Sequence, residues 1–184
     1  MKPMRIFAAV ATPLVLLAAC APEAEEAEAP VEEAATAEPA ENATLDLQAT
    51  GIVVPPQSGF EQLAVPFGSQ RVATEATLGN VLGEATGSTA GGDDCALATT
   101  QYDGLTAAFS DDQFVGYYAT APYVPDLDRA AMIADSGVEM VEGSTLGEEF
   151  TIGSEGALIS GLFSGEGEDA TVEALWAGEN CIFR

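Results

Sequence analysis

From residue 44 onward, apolar and polar positions alternate in short runs separated by Gly, Pro and Asp. This is the pattern of strands joined by turns rather than of long helices. Leu45, Leu47 and Ala49 alternate ahead of Gly51-Ile52-Val53-Val54, which predicts a lead-in strand stopped by Pro55-Pro56. The next stretch changes period. Val72, Ala73, Ala76, Leu78, Val81 and Leu82 recur at helical spacing, with Gly68-Ser69 as the N-cap region and Gly83 past the C-terminal end. Gly79 weakens this helix, because a glycine loses more backbone freedom on folding than any other residue. After a glycine-rich loop at 87–94, residues 97–120 predict a meander. Leu105, Ala107 and Phe109 share a face, Asp111-Asp112 marks a turn, and Phe114, Gly116 and Tyr118 then alternate with Val115, Tyr117 and Ala119. Pro122 to Pro125 breaks the chain, and 126–134 predicts a short helix with Asp126 as its cap. Strands are expected at 137–141, 149–152, 157–163 and 171–177, the last placing Val172, Ala174 and Trp176 together, with turns at 153–156 and 164–169. Both halves end in strand pairs, around Gly104-Leu105 and Gly161-Leu162, which suggests a duplication. The expected fold class is α+β: a small single domain with an antiparallel sheet and one or two packed helices.

The first 43 residues follow no such pattern. Lys2 and Arg5 precede an apolar run from Ile6 to Leu17, which ends on Leu17-Ala18-Ala19-Cys20. A basic start, a dozen apolar residues and a small-residue exit describe a signal peptide over 1–19, too short to span a bilayer as a helix. Its ending resembles the bacterial lipobox, which implies cleavage before Cys20 and two or three acyl chains on that residue. Each buried methylene contributes about 0.8 kcal/mol, so such chains hold a protein at the membrane. The alternative is an ordinary secretory peptide that happens to contain a cysteine. Ala21, where an Asp would mark the other sorting class, resembles an outer-membrane address.

Residues 20–43 are the lipidated cysteine and a run of Ala, Glu and Pro with no base and no aromatic ring. Such a segment buries too little apolar area to offset its chain entropy, and Pro22, Pro30 and Pro39 interrupt any helix. It predicts a disordered tether with ends roughly 25–30 Å apart as a coil. The globular domain is then 44–184, enough chain for one core and too little for a cofactor domain plus a substrate domain.

Charge narrows the function classes. The chain carries 30 Asp and Glu against 5 Lys and Arg, with no histidine. Loss of the signal peptide removes Lys2 and Arg5, leaving Arg71, Arg129 and Arg184, no lysine and a net charge of −27. Phosphate recognition needs the opposite sign, so nucleic acid is excluded as a partner. Acid pairs at Asp93-Asp94, Asp111-Asp112, Asp126 with Asp128, and Glu166 with Glu168 and Asp169 have the oxygen chemistry for Ca²⁺. None has the spacing of a calcium loop, and solvated hairpin tips are the expected homes of these residues.

The absence of histidine removes Ser-His-Asp and Cys-His catalysis and every His-bearing metal site. Paired-carboxylate hydrolysis needs only two acids at a set separation, which a sequence does not reveal. Gly143-Ser144-Thr145-Leu146-Gly147 offers a serine with no adjacent base and is read as a tight turn. Trp176, Tyr117, Tyr118, Phe109 and Phe163 could line a ligand face, though aromatic residues in strands are mostly core. Once Cys20 is acylated, Cys95 and Cys181 remain, and in an exported chain a disulfide is expected between them. Two buried thiols or one reactive cysteine are the alternatives, and a thiolate would have only the three arginines to stabilise it. Arg184 is expected to pair with an acid such as Glu148 or Glu149.

Several segments carry a family likeness: Phe67-Gly68-Ser69, Gly104-Leu105 with Phe109, Phe114-Val115-Gly116, the 142–150 run from Glu142 to Phe150, and the 175–184 run from Leu175 to Arg184. Over nearly the whole domain they resemble a small family of uncharacterised exported proteins and lipoproteins of Gram-negative bacteria. Members sometimes carry the label aspartate-semialdehyde dehydrogenase, which implies a dinucleotide fold and a cysteine nucleophile assisted by histidine. This chain has no glycine fingerprint between a strand and a helix and no histidine. A looser similarity is to small α+β envelope modules such as those of the outer-membrane assembly lipoproteins. The expectation is an outer-membrane lipoprotein, anchored through Cys20 and facing the periplasm, with no cofactor. Its domain would be a non-enzymatic interaction or structural module with an envelope protein partner. The alternatives are a periplasmic small-ligand or calcium binder and a carboxylate-dependent hydrolase.

Overall fold

The computed structural model describes residues 44–56, 61–154 and 156–182. The expected signal peptide and tether, Cys20 and Arg184 lie outside them. The chain from 45 to 54 forms two strands rather than one. β1 (Asp46–Gln48) turns at Ala49-Thr50 and pairs antiparallel with β2 (Gly51–Val54). Gly51, at φ 148°, lets the next strand approach, since a Cβ there would overlap the backbone of Val65 and Pro66. β3 (Leu63–Pro66), which the pattern did not predict, completes a three-stranded sheet in the order β1-β2-β3.

The helix expected next is α1 (Arg71–Leu82). Its N-cap is Gln70 rather than Ser69, whose hydroxyl donates to the Pro66 carbonyl, and Gly83 at φ 89° ends it. Leu78 and Val81 face the core as the spacing implied, but Thr74 replaces Val72, which is 79% exposed.

The glycine-rich loop contains a short strand, β4 (Gly87–Thr89). The meander follows as β5 (Ala98–Tyr102), β6 (Leu105–Ser110) and β7 (Gln113–Ala119). Asp111 and Asp112 both have positive φ, as a two-residue hairpin turn of the mirror-image type requires. The second helix, α2 (Arg129–Ile133), is shorter than expected, and its cap is Asp128 rather than Asp126; the Asp128 carboxylate accepts from the Ala131 amide at 2.7 Å. β8 (Val138–Met140), β9 (Glu149–Ser154), β10 (Ala157–Phe163) and β11 (Val172–Gly178) complete the chain.

The eight later strands form one antiparallel sheet in the order β4-β5-β6-β7-β11-β10-β9-β8. The α+β class holds only coarsely: two short helices accompany a structure dominated by its sheets. The sheet is two meanders joined at β7 and β11, each introduced by a helix. Corresponding positions recur 58 residues apart. Gln70 bridges Gln113 and Asp128 bridges Thr171; the Arg71 amide donates to the Asp112 carbonyl and the Arg129 amide to that of Ala170. Each arginine lies over the ring of a phenylalanine on the third strand of its own meander, Arg71 over Phe109 at 4.9 Å and Arg129 over Phe163 at 5.8 Å. In the central pair Tyr118 stands opposite Trp176, its equivalent, so an approximate two-fold axis passes through these stacked rings. The duplication that the two halves suggested is thus present in the fold.

One face of the large sheet is covered. Ile52 and Val65 of the small sheet and Leu78 of α1 pack on Tyr102, Leu105, Ala107, Phe109, Phe114, Tyr117 and Ala119. Met132 of α2 packs on Phe150, Phe163, Val172 and Leu175. Burying each such large side chain contributes about 1.5–3 kcal/mol, which is what holds helices this short in place.

Candidate functional site

The covered face is not covered throughout. Between β1 and the segment Pro122-Tyr123-Val124-Pro125 runs a groove of about 450 Å³. Leu45 and Leu47 form one wall, and the cross-strand pair Ile152–Ile159 and Leu175 lie on the floor. The small sheet explains the opening. It packs over the first meander and stops at β1, so the middle of the second meander has no strand above it among the described residues.

Carboxylates lie beside this apolar channel. Asp46 lines it and Asp126 follows Pro125. Asp103 lies near the hydroxyl of Tyr123, whose pKa is raised by burial and then by that charge. Tyr117 is fully buried beneath β1, and its hydroxyl has no hydrogen-bond partner among the described residues. Burial, and secondarily the charge of Asp46, push its pKa up. The two described arginines are committed elsewhere: Arg71 pairs with Glu75 at 2.8 Å and Arg129 with Glu148 at 2.9 Å. Burial works to raise the Glu75 carboxyl, but the Thr100 hydroxyl, donating at 2.6 Å, and Arg71 outweigh it and hold the group below its ordinary value.

The opposite face of the sheet carries a second hollow, of about 250 Å³. After β11 the chain folds back over this face. The Glu179 amide donates to the Val115 carbonyl, the Asn180 side chain donates to the Ala177 carbonyl, and Cys181 reaches Cys95. Residues 179–182 form a strap, and the hollow lies between it and Thr99, Thr106, Ala108 and Tyr118. Gly116 lets the strap cross, because a Cβ there would overlap the backbone of Glu179.

The predicted residues divide accordingly. Cys95 and Cys181 stand at disulfide distance, with Cα atoms 5.7 Å apart. Phe109, Phe163, Tyr117 and Trp176 are core or closely covered, and only Tyr118 borders a hollow. Glu148 is paired with Arg129, a contact not foreseen. Ser144 donates to Glu149 at 2.6 Å and accepts from the Leu146 amide, so the 143–147 turn satisfies a fully buried carboxylate that the sequence had not distinguished from exposed ones. Among the described residues no three metal-ligating side chains gather, and the acid pairs stay apart as hairpin and loop residues. No helix among them is long and apolar enough to cross a membrane. Sequence reasoning missed the groove. Its only local signal was the proline-rich 122–125 segment.

Compared with known proteins, the chain matches no family model, no curated protein and no solved structure.

Proposed function

We propose that this chain is an envelope lipoprotein whose 44–184 domain is a non-enzymatic binding module acting through the groove beside β1. The open apolar channel carries the reading. A surface this apolar, floored by Ile152, Ile159 and Leu175, is the kind of feature that marks an interaction site on an otherwise polar protein. Acyl chains on Cys20 would hold the domain at the outer membrane, facing the periplasm. The 21–43 segment would let it reach a membrane-bound or periplasmic partner, and the chain enters the domain at Thr44, on the rim of the groove itself. A second reading, a small-ligand binder, takes its support from the hollow beneath the strap, where Tyr118, Thr99, Thr106 and Asn180 supply polar groups.

Photo-crosslinking in the native envelope tests the module. Amine-directed reagents are unsuitable, since no lysine follows Lys2. Benzoylphenylalanine placed at Val124 or Leu45 is expected to capture one dominant protein, and the same group at exposed Val72 is expected to capture none. No captured protein from any position, with the probe shown to react in a control complex, rejects the module and transfers attention to ligand-induced thermal shifts at the hollow.

A further inference from the structure

The two-fold repetition says what is missing from the groove. On the first meander, Leu105 and Tyr117 are buried in one cluster with Ile52 and Val65 of the small sheet. Tyr117 is equivalent to Leu175 at the 58-residue offset. On the third strands the offset is 54, as Phe109 and Phe163 show, and it makes Leu105 equivalent to Ile159. The paired registers agree: Leu105 stands opposite Ala119 in the first half, and Ser160 opposite Trp176 sets Ile159 level with Ala177 in the second. Leu175 and Ile159 are therefore the positions equivalent to two that the small sheet's cluster buries in the first repeat; in the second, Leu175 is buried at the base of the groove and Ile159 is only half-buried on its floor.

The wall beside that floor is an edge strand. β1 pairs with β2 on one side, and among the described residues nothing pairs with its other side. Its residues Asp46 and Leu47, with Leu45 just before them, line the groove. An unpaired row of amides and carbonyls next to apolar pockets is the geometry that accepts an added strand. Charge selects the strand. Asp46 lines the groove, Asp103 lies near its Tyr123, Asp126 follows its Pro125 in the chain, and both described arginines are held by other acids.

We propose that the groove binds a basic, extended segment of a partner protein, which adds to the β1 edge as a fourth strand and lays alternate apolar side chains on the half-buried Ile152 and Ile159. This rests on the binding-module reading and names its partner. The backbone of the segment pairs with β1, its apolar side chains take the place that Ile52 and Val65 occupy on the first repeat, and its cations meet the carboxylates on the rim.

The test uses the full-length chain as its host processes it and a fluorescein-labelled nine-residue peptide of alternating Lys and Val, followed by fluorescence anisotropy. Three comparison peptides carry Glu for Lys, Ser for Val, or N-methyl groups on alternate amides. Saturable binding of the Lys–Val peptide is expected, at least tenfold weaker for each comparison peptide. Asp46→Asn with Asp103→Asn and Asp126→Asn is expected to weaken it at least tenfold. Glu84→Gln with Asp93→Asn and Asp94→Asn, which removes the same charge elsewhere, is expected to leave it within twofold. Circular dichroism melting establishes that both triple variants fold; if the rim variant does not, the peptide series alone decides. Equal binding of the N-methylated peptide overturns strand addition, and an equal loss in the remote variant reduces the effect to net charge. Displacement of the peptide by a neutral dodecyl chain that itself binds tighter assigns the groove to an acyl ligand and overturns the proposal. No binding of the peptide beside a protein captured from Val124 in the envelope rejects the basic strand and keeps the module. No peptide binding and no capture rejects both.

Discussion

Gly116 is the residue on which the crossing of the strap depends. It stands in the central strand β7, where glycine ordinarily weakens a sheet, and it is kept there by the backbone of Glu179 crossing directly above it. Gly116→Ala forces either the strap or β7 to move and is expected to lower stability by about 1–3 kcal/mol, the usual cost of overpacking. Chemical denaturation measures it, and an unchanged midpoint would mean that the strap does not lie on this strand. The tyrosines make a different prediction. All four, Tyr102, Tyr117, Tyr118 and Tyr123, have raised pKa values, each first through burial, and Tyr102 is pushed up to about 12. In each case the folded value lies above the unfolded one, near 10, so the folded state keeps its protons longer. The stability linked to these groups is fully present below about pH 10 and is lost as pH rises through the folded values. Tyrosinate absorbance near 295 nm is expected to stay flat to about pH 10 and then to rise together with unfolding. A gradual four-site titration centred near 10 in a folded protein would refute the burial.

At the scale of elements, the strap and the small sheet each depend on long-range contacts. Cys95 and Cys181 are 86 residues apart. In the chain-entropy model a bond closing a loop of that size contributes about 4–5 kcal/mol. Replacing both cysteines by serine is expected to cost that order and to release 179–182 from the sheet face, which non-reducing mass spectrometry and hydrogen exchange at the Glu179 amide together check. Free alkylation of both thiols without reductant would remove the bond. The elements also show where local pattern suffices. The meander from β5 to β7 and the Asp111-Asp112 turn were legible because strand alternation and turn chemistry are properties of adjacent residues. β3 was not, since only Val65 of its four residues is buried and its pairing to β2 spans a loop without periodicity. The single lead-in strand became a hairpin because the chain turns at Ala49-Thr50, which no apolar count records. The cap of α2 moved to Asp128 because the bridge to Thr171 holds that residue extended at the helix entrance.

The whole molecule is governed by its charge. With 30 acids and few bases, its carboxylates repel one another, and only Glu75 and Glu148 are in salt bridges among the described residues. The Debye length falls from about 30 Å at 0.01 M salt to about 3 Å at 1 M. Raising NaCl from about 10 mM to about 0.5 M is therefore expected to raise the melting temperature by several degrees. A flat or falling melting temperature would mean that the acids are spaced too widely to repel. The same imbalance makes a basic partner segment the natural complement of the groove.

What the sequence determined alone was what neighbouring residues decide among themselves: the alternation that makes strands, the helical spacing of Leu78 and Val81, the turn at Asp111-Asp112, and the excess of negative charge. The expectation of export and acylation at Cys20 likewise rests on contiguous residues. Tertiary structure decided what depends on residues far apart. Tyr118 meets Trp176 only because β7 and β11 join two meanders, and Ile152, Ile159 and Leu175 form a floor only because the small sheet ends at β1. Glu149 reads like any other acid along the chain, and becomes a buried group satisfied by Ser144 only once β9 and the 143–147 turn fold together. The physical reason is common to all three: a groove, a stacking pair and a buried acid are defined by which distant surfaces lie opposite one another, and no local propensity encodes that.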